Sequence, residues 1–489
     1  MPLAAADLTI LALFVLGSVV AGIALGRRRG PALTDWALGG RDVPTAVVLL
    51  SIVATETSTV TFLSIPGFAF ERDLTWLQLP IGFALGRLAV VALLLPRYFD
   101  GELLTAYEVL AVRFGGGVRR TASALFVVAR TLGDGLRLFL TALVLEAVSG
   151  LDLAAAVAVL GAATIVYTFV GGMRAVVWMD AVQFAIYIAG AGLALIAIAD
   201  RLPGGFEQVV AHADAAGKLR WLDLRLDPTE PYTLWAGLIG GACLSLGTHG
   251  ADQMMVQRYL CARGRRQAAT ALSLSGLVVL AQFALFLWLG LALAAFYAEF
   301  PPAQPFERAD RVFATFLVDE LGAPLRGILL GAVFAAAMST LSSSLQSSAT
   351  SAIHDLGGAS ADPARQLRRT RLAVVGFGVA QIAVGIGGQW TSAAVVENVL
   401  AIAGFVTGLL LGVFFLGRTR HVGSRAALGA LWLALLGMAA LKAWTPLAWP
   451  WFPLVGAAST VGLGLLLEAV APGPSDRQIA GAKRPPRSC

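Results

Sequence analysis

Between Gly331 and Asp355 the chain reads GAVFAAAMSTLSSSLQSSATSAIHD, a run in which hydroxyls and small residues displace large apolar side chains. Wound as a helix at about 100° per residue, it brings Ala336, Ser339, Thr340 and Ser343 onto one arc, with Ser342 just to the other side of Ser339. Hydroxyl and carbonyl oxygens suit a hard cation, and a sodium site needs about five of them without necessarily needing a full charge. The same composition also serves close helix packing, with each hydroxyl bonding back to its own preceding turn.

A second run, GGMRAVVWMDAVQFAIYI, places Asp180 about two turns from Arg174 in an otherwise apolar stretch. A buried carboxylate without a partner would protonate or destabilise its helix, so opposite a serine-lined helix Asp180 is a candidate cation ligand. Glu56, Arg87, Arg130, Asp134, Arg137, Glu146, Asp252 and Glu397 are further ionisable groups placed inside apolar runs outside the serine-rich one. Arg87, Glu146 and Glu397 also read as interhelical pairs or snorkelling groups. In ARTLGDGLRLFLTALVLE, Arg130 and Arg137 lie two turns apart on one face with Asp134 between them. Two cations against one anion leave an excess positive charge, which a carboxylate-bearing solute could balance through the arginine fork.

Two runs look interrupted. SIVATETSTVTFLSIPGFAF carries short polar side chains from Thr55 to Thr61 and then Pro66 and Gly67. GGACLSLGTHGADQMMVQRYL carries Gly247, Gly250 and Asp252. Broken helices at matching positions of two halves point to a transporter's central site, where unwound carbonyls and half-helix ends hold ions and solute. Thr57, Ser58 and Thr59 beside Gly247, Thr248 and His249 would supply hydrogen bonds to a solute there.

The elements that position these residues follow from composition. Of 489 residues 57% are hydrophobic and 13% charged, with a mean hydropathy of +0.77. A bilayer is the natural solvent for such a chain, and no length is left for a sizeable soluble domain or an enzyme active site. Apolar runs fall near 8–26, 44–70, 74–97, 118–148, 153–172, 174–199, 233–257, 267–297, 322–353, 370–388, 393–417, 426–444 and 449–471, an all-α polytopic membrane protein of about thirteen spans. The run 8–26 has no basic residue before it and no small-residue cleavage site, and is read as a retained helix. With the amino terminus outside, alternate connections hold 24 basic residues against 8, which places the carboxyl terminus in the cytoplasm. Arg258 is counted there among the loop residues. The net charge of +6 is thus a topology signal, and no nucleic acid partner is implied. Cys243, Cys261 and Cys489 are too scattered for a disulfide framework or a zinc site. The connection at about 200–232 is read as short amphipathic helices and a candidate lid, and 472–489 as a disordered tail.

In YTFVGGMRAVVWMDAVQ (Tyr167 to Gln183), AAAMSTLSSSL (Ala335 to Leu345), DQMMVQRYL (Asp252 to Leu260) and ATETSTVTFLSIPG (Ala54 to Gly67), the chain resembles the sodium/solute symporter family. These carriers move glucose, proline, pantothenate, sialic acid, iodide or monocarboxylates. The resemblance implies a LeuT-like core of two inverted five-helix repeats, 44–199 and 233–417, with 8–26 and 426–471 peripheral. It implies a main sodium site of the Ala54, Thr57 and Ala336 carbonyls with the Ser339 and Thr340 hydroxyls. It further implies a second site of Asp180, Ser342 and Ser343, and hence two sodium ions driving one small solute inward across the inner membrane, with a monomer sufficient. A proton-coupled carrier using Glu56 or Asp180, a membrane sensor and a passive channel are the competing readings.

Overall fold

A hydrocarbon layer offers no partner to a bare peptide group, so an apolar chain of this length satisfies its backbone inside helices. The structure, a computed structural model, describes residues 4–26, 33–149, 151–302, 304–306, 308–357, 362–391, 393–419 and 421–471, apart from the side chains of 144, 147–149 and 393–403. Among the described residues there is no β-strand. Arg27 to Arg29, the Glu397 side chain, Cys489 and the 472–489 tail lie outside them.

The first half runs α1 (Ala5–Gly26), α2 (Leu33–Leu38), α3 (Thr45–Glu56), α4 (Thr59–Glu71), α5 (Gln78–Leu93), α6 (Leu95–Tyr98), α7 (Glu108–Phe114), α8 (Gly116–Ser149) and α9 (Leu153–Arg201). After α10 (Gly205–Ala215) the second half runs α11 (Gly241–Gly250), α12 (Gln253–Leu260), α13 (Arg265–Glu299), α14 (Asp310–Thr315), α15 (Leu325–Ser351), α16 (Pro363–Gly387) and α17 (Ala393–Leu416). Two more helices close the chain, α18 (Ser424–Trp444) and α19 (Phe452–Val470). Among the described residues, eight helices are long and apolar enough to cross a membrane, or nine if the bent pair α3 and α4 is one span. Helical segments occupy all thirteen apolar runs, and α9 spans two of them. Its two parts meet at Gly172, where φ is 58° and a Cβ would stand 2.5 Å from the Trp36 carbonyl oxygen, so only glycine fits the bend.

Each half opens with a broken helix. The α3–α4 pair bends by 67° across Thr57 and Ser58, both extended. Ser58 caps α4 by accepting a hydrogen bond from Thr61 N. In the second half α11 and α12 part at Ala251 and Asp252, and Asp252 caps α12 by accepting from Met254 N at 2.8 Å. Helix α9 packs along α15 and against α3. Two apolar clusters, one containing Ile52, Tyr107 and Val256 and the other Val53, Phe62 and Phe286, change over on α3 just before its break, and the polar residues gather there.

Candidate sodium and solute sites

Extended backbone at Thr57 and Ser58 interrupts the helical ladder, which frees carbonyls in the last turn of α3. Ser339 of α15 meets that turn: its Oγ donates to the Ala54 carbonyl at 3.2 Å and lies 3.1 Å from that of Ala336. Thr340 Oγ1 lies 3.4 Å from the same Ala336 carbonyl. All four residues are buried. Three oxygens on two helices, with a fourth alongside, therefore converge at the break. Thr57 is held beside them, its hydroxyl donating to the Val53 carbonyl at 3.0 Å and accepting from Gln282 Nε2 at 2.7 Å.

Asp180 of α9 lies nearby, fully buried. Its Oδ2 accepts from Ser51 Oγ at 2.6 Å, Arg258 Nη2 at 2.9 Å, Thr55 Oγ1 at 3.3 Å and Ser343 Oγ at 3.4 Å. Its Oδ1, equally buried, has no hydrogen-bond partner among the described residues. Such an oxygen costs about 1–3 kcal/mol unless water or a cation meets it. Ser342 Oγ donates to the Ser339 carbonyl at 3.2 Å. Ser51, Thr55 and Arg258 are additions to the residues assigned from sequence to an ion site. Arg258 is the sharpest correction: counted as a loop residue, it is fully buried on α12 because Ser51, Asp180, Ser343 and the Met254 carbonyl take up its guanidinium.

The positive excess on α8 does not survive either. Arg137 pairs with Asp134, as its spacing allowed, but Arg130 pairs with Asp252 at the break of the second half. Arg87 pairs with Glu56. The four central acids Glu56, Asp134, Asp180 and Asp252 are thus each matched by an arginine. His249 Nε2 lies 3.2 Å from Glu56 Oε1 and its Nδ1 2.9 Å from the Tyr259 hydroxyl, so it ties the two helix breaks together. Thr248 bonds back to the Leu244 carbonyl at 3.0 Å within its own helix.

A cavity of about 580 Å³ reaches down to Thr59 and Val60 at the start of α4 and is walled by Leu140, Glu146, Arg311 and Thr315. It lies at the end of the bundle where α4, α8 and α13 finish. The opposite end carries a polar lattice. Asp355 accepts from Arg119 Nε at 2.7 Å and Thr105 Oγ1 at 2.8 Å, and Glu108 accepts from the backbone N–H groups of Leu104 and Thr105 and faces His354 at 3.2 Å.

A bundle with two broken helices, buried hydroxyls and carbonyls converging at one break, and a cavity reaching toward that break from one end is a secondary transporter of the LeuT-like fold. Residues 36–437 match the model of the sodium:solute symporter family, and the chain belongs to that family. It is 30% identical to the sodium/iodide cotransporter of Homo sapiens over 88% of this chain and 69% of that one. It is 31% identical to the sodium-dependent multivitamin transporter of Oryctolagus cuniculus, over 76% and 59%, and 28% identical to the sodium-coupled monocarboxylate transporter 1 of Xenopus laevis, over 84% and 67%. Among solved structures, a sodium-coupled sialic acid symporter in a substrate-bound outward-open state shares the fold with a TM-score of 0.87, at 23% identity over 96% of this chain and 98% of that one. A nucleobase-cation-symport-1 family transporter shares it with a TM-score of 0.54, at 17% identity over 92% and 95%. The protein is a sodium-coupled, multi-pass membrane symporter of a small solute, and sodium rather than the proton is the coupling ion.

Proposed function

We propose that two sodium ions accompany each solute and that the solute is a small anion carrying a carboxylate. The observation that carries this reading is the charge balance of the centre. Glu56, Asp134, Asp180 and Asp252 face Arg87, Arg137, Arg258 and Arg130, so the protein contributes no net charge there before ligands arrive. Each sodium then adds a positive charge in a region of low dielectric, and a solute anion offsets it. The relatives named for iodide and for monocarboxylates act on anions, which agrees.

The first ion is held by the carbonyls of Ala54, Thr57 and Ala336 and the hydroxyls of Ser339 and Thr340. The second takes Asp180 through its unpartnered oxygen, with Ser343 and Ser342 on α15. Thr57, Ser58 and Thr59 line the solute's place between the breaks, with His249 opposite; Thr248, Arg130 and Arg137 border it as positioning groups. The repeats are 44–199 and 233–417, and the helices at 8–26 and 426–471 are peripheral to them. The cavity at Thr59 opens outward and the Arg119–Asp355 lattice closes the cytoplasmic side, with the amino terminus outside, the carboxyl terminus inside and the inner membrane as the location. One subunit suffices for transport.

Thermal-shift screening of the purified protein with sugars, amino acids and monocarboxylates, in sodium and in choline buffer, tests the solute class. A monocarboxylate or similar small anion is expected to stabilise in sodium only. Stabilisation by a neutral sugar, or equally in choline, contradicts it.

A further inference from the structure

We propose that Tyr167 is a positioning residue for the sodium sites, held in place by α1, a helix outside both repeats. The proposal rests on the sodium sites described above.

Tyr167 is fully buried on α9. Its hydroxyl donates to the Met338 carbonyl at 3.1 Å, and Met338 immediately precedes Ser339. The Ser342 side chain lies near the same phenol oxygen. One hydroxyl therefore touches the α15 turn that carries both a first-site and a second-site ligand. A serine that lends its lone pairs to a cation must direct its proton elsewhere, and Ser342 sends it to the Ser339 carbonyl at 3.2 Å. Fixing the Met338 carbonyl fixes the rotation of this turn, and with it the aim of Ser339 and Ser342. Ion sites tolerate little misplacement, about 0.5 Å.

Helix α1 supplies the backing. A Cβ at Gly22 would stand 2.8 Å from the Tyr167 Cβ, so the glycine lets α1 close onto the ring. At its other end Asp7, fully buried, accepts from Arg326 Nη2 at 2.7 Å, Arg326 Nε at 2.9 Å and Gly327 N at 3.0 Å, in the first turn of α15. Helix α1 is thus fastened to α9 and α15 together, and Tyr167, on the helix that carries Asp180, is pressed between α1 and the helix that carries the hydroxyls.

The test is the sodium dependence of solute uptake in proteoliposomes for Tyr167→Phe, which removes one oxygen and keeps the ring. The sodium concentration at half-maximal uptake is expected to rise roughly 3- to 10-fold, the loss of one hydrogen bond. The maximal rate and the solute KM at saturating sodium should stay within about twofold, being independent of this bond. An unchanged sodium dependence, or a fall in maximal rate alone, overturns the proposal. Combined with Ser342→Ala, Tyr167→Phe is expected to add less than its separate effect; full additivity also overturns it. If Ser342→Ala itself leaves the sodium dependence unchanged, the second-site reading has failed and the proposal falls with it. If Ser342→Ala shifts that dependence and Tyr167→Phe does not, the positioning role alone is lost. Gly22→Ala crowds the ring and is expected to shift the sodium dependence in the same direction; no shift removes α1 from the proposal.

Discussion

Arg258 Nη2 stands 2.9 Å from Asp180 Oδ2, and neither side chain reaches solvent. The protein's own cation sits beside the carboxylate proposed to hold the second sodium, filling one oxygen and leaving the other bare. In the proposed second site, Arg258 would compete with sodium for Asp180 and lower its affinity for the ion.

Two substitutions test this. Asp180→Asn keeps the volume and removes the charge, so the sodium Hill coefficient should fall toward one. Arg258→Gln removes the competing cation, so the sodium concentration at half-maximal uptake should fall, while the melting temperature drops because a buried charge has lost its partner, at a cost of about 3–5 kcal/mol. A Hill coefficient that stays near two in Asp180→Asn refutes the second site.

The proposed main site rests on different oxygens. Ser339→Ala with Thr340→Ala removes two of about five ligands, and sodium affinity should fall at least tenfold while expression survives. Uptake with unchanged sodium dependence in that double variant would dismiss the assignment.

How much of this was legible in the sequence depends on distance along the chain. The hydroxyl face of α15 and the two helix breaks are local patterns, and they stand where their residues put them. Pairings across the fold are not local: Arg130 and Asp252 are 122 residues apart, and Asp7 and Arg326 are 319 apart. The surplus charge inferred from α8 vanished for that reason. Arg258 was miscounted because an arginine at the end of an apolar run looks like a flank residue, and only the helices packed around it decide its burial. Ser51 and Thr55 carry a signal that was available, two hydroxyls four residues apart on a helix that must face something polar.

The Arg130–Asp252 pair gives a third expectation. Side-chain exposures of 17% and 7% place it largely out of water, so Arg130→Gln leaves Asp252 uncompensated and should lower the melting temperature clearly. Adding Asp252→Asn should recover much of that loss. Arg137, with a third of its side chain exposed, should tolerate Gln better. Thermal unfolding of the three variants checks the order, and a larger loss in Arg137→Gln than in Arg130→Gln would reverse it.

A fourth concerns the closed end. Arg119→Gln unties Asp355 from α8 and should shift the population toward the inward-open state, weakening the apparent affinity for sodium added outside. Glu108 supports the same lattice. Burial works against its charge, but His354 and the Thr105 and Leu104 N–H groups outweigh this and hold its carboxyl below the ordinary glutamate value. A lowered value means that its stabilisation is present above the unfolded value and fades as pH falls through the folded one. The accessibility of a cysteine introduced by Thr105→Cys should therefore rise from the inner side when Arg119→Gln is added and, without Arg119→Gln, on acidifying below about pH 4. No change in either case would show that the lattice does not hold this end shut.

The central claim, that the sodium gradient drives this solute, is tested most directly by uptake into proteoliposomes with pH clamped on both sides. One sodium crossing 100 mV yields about 2.3 kcal/mol before its concentration gradient counts, and two yield twice that. The account predicts that an inward sodium gradient concentrates the thermal-shift hit above its outside level, and that removing sodium abolishes this. Accumulation in sodium-free buffer driven by a proton gradient, or mere equilibration with sodium present, would contradict it.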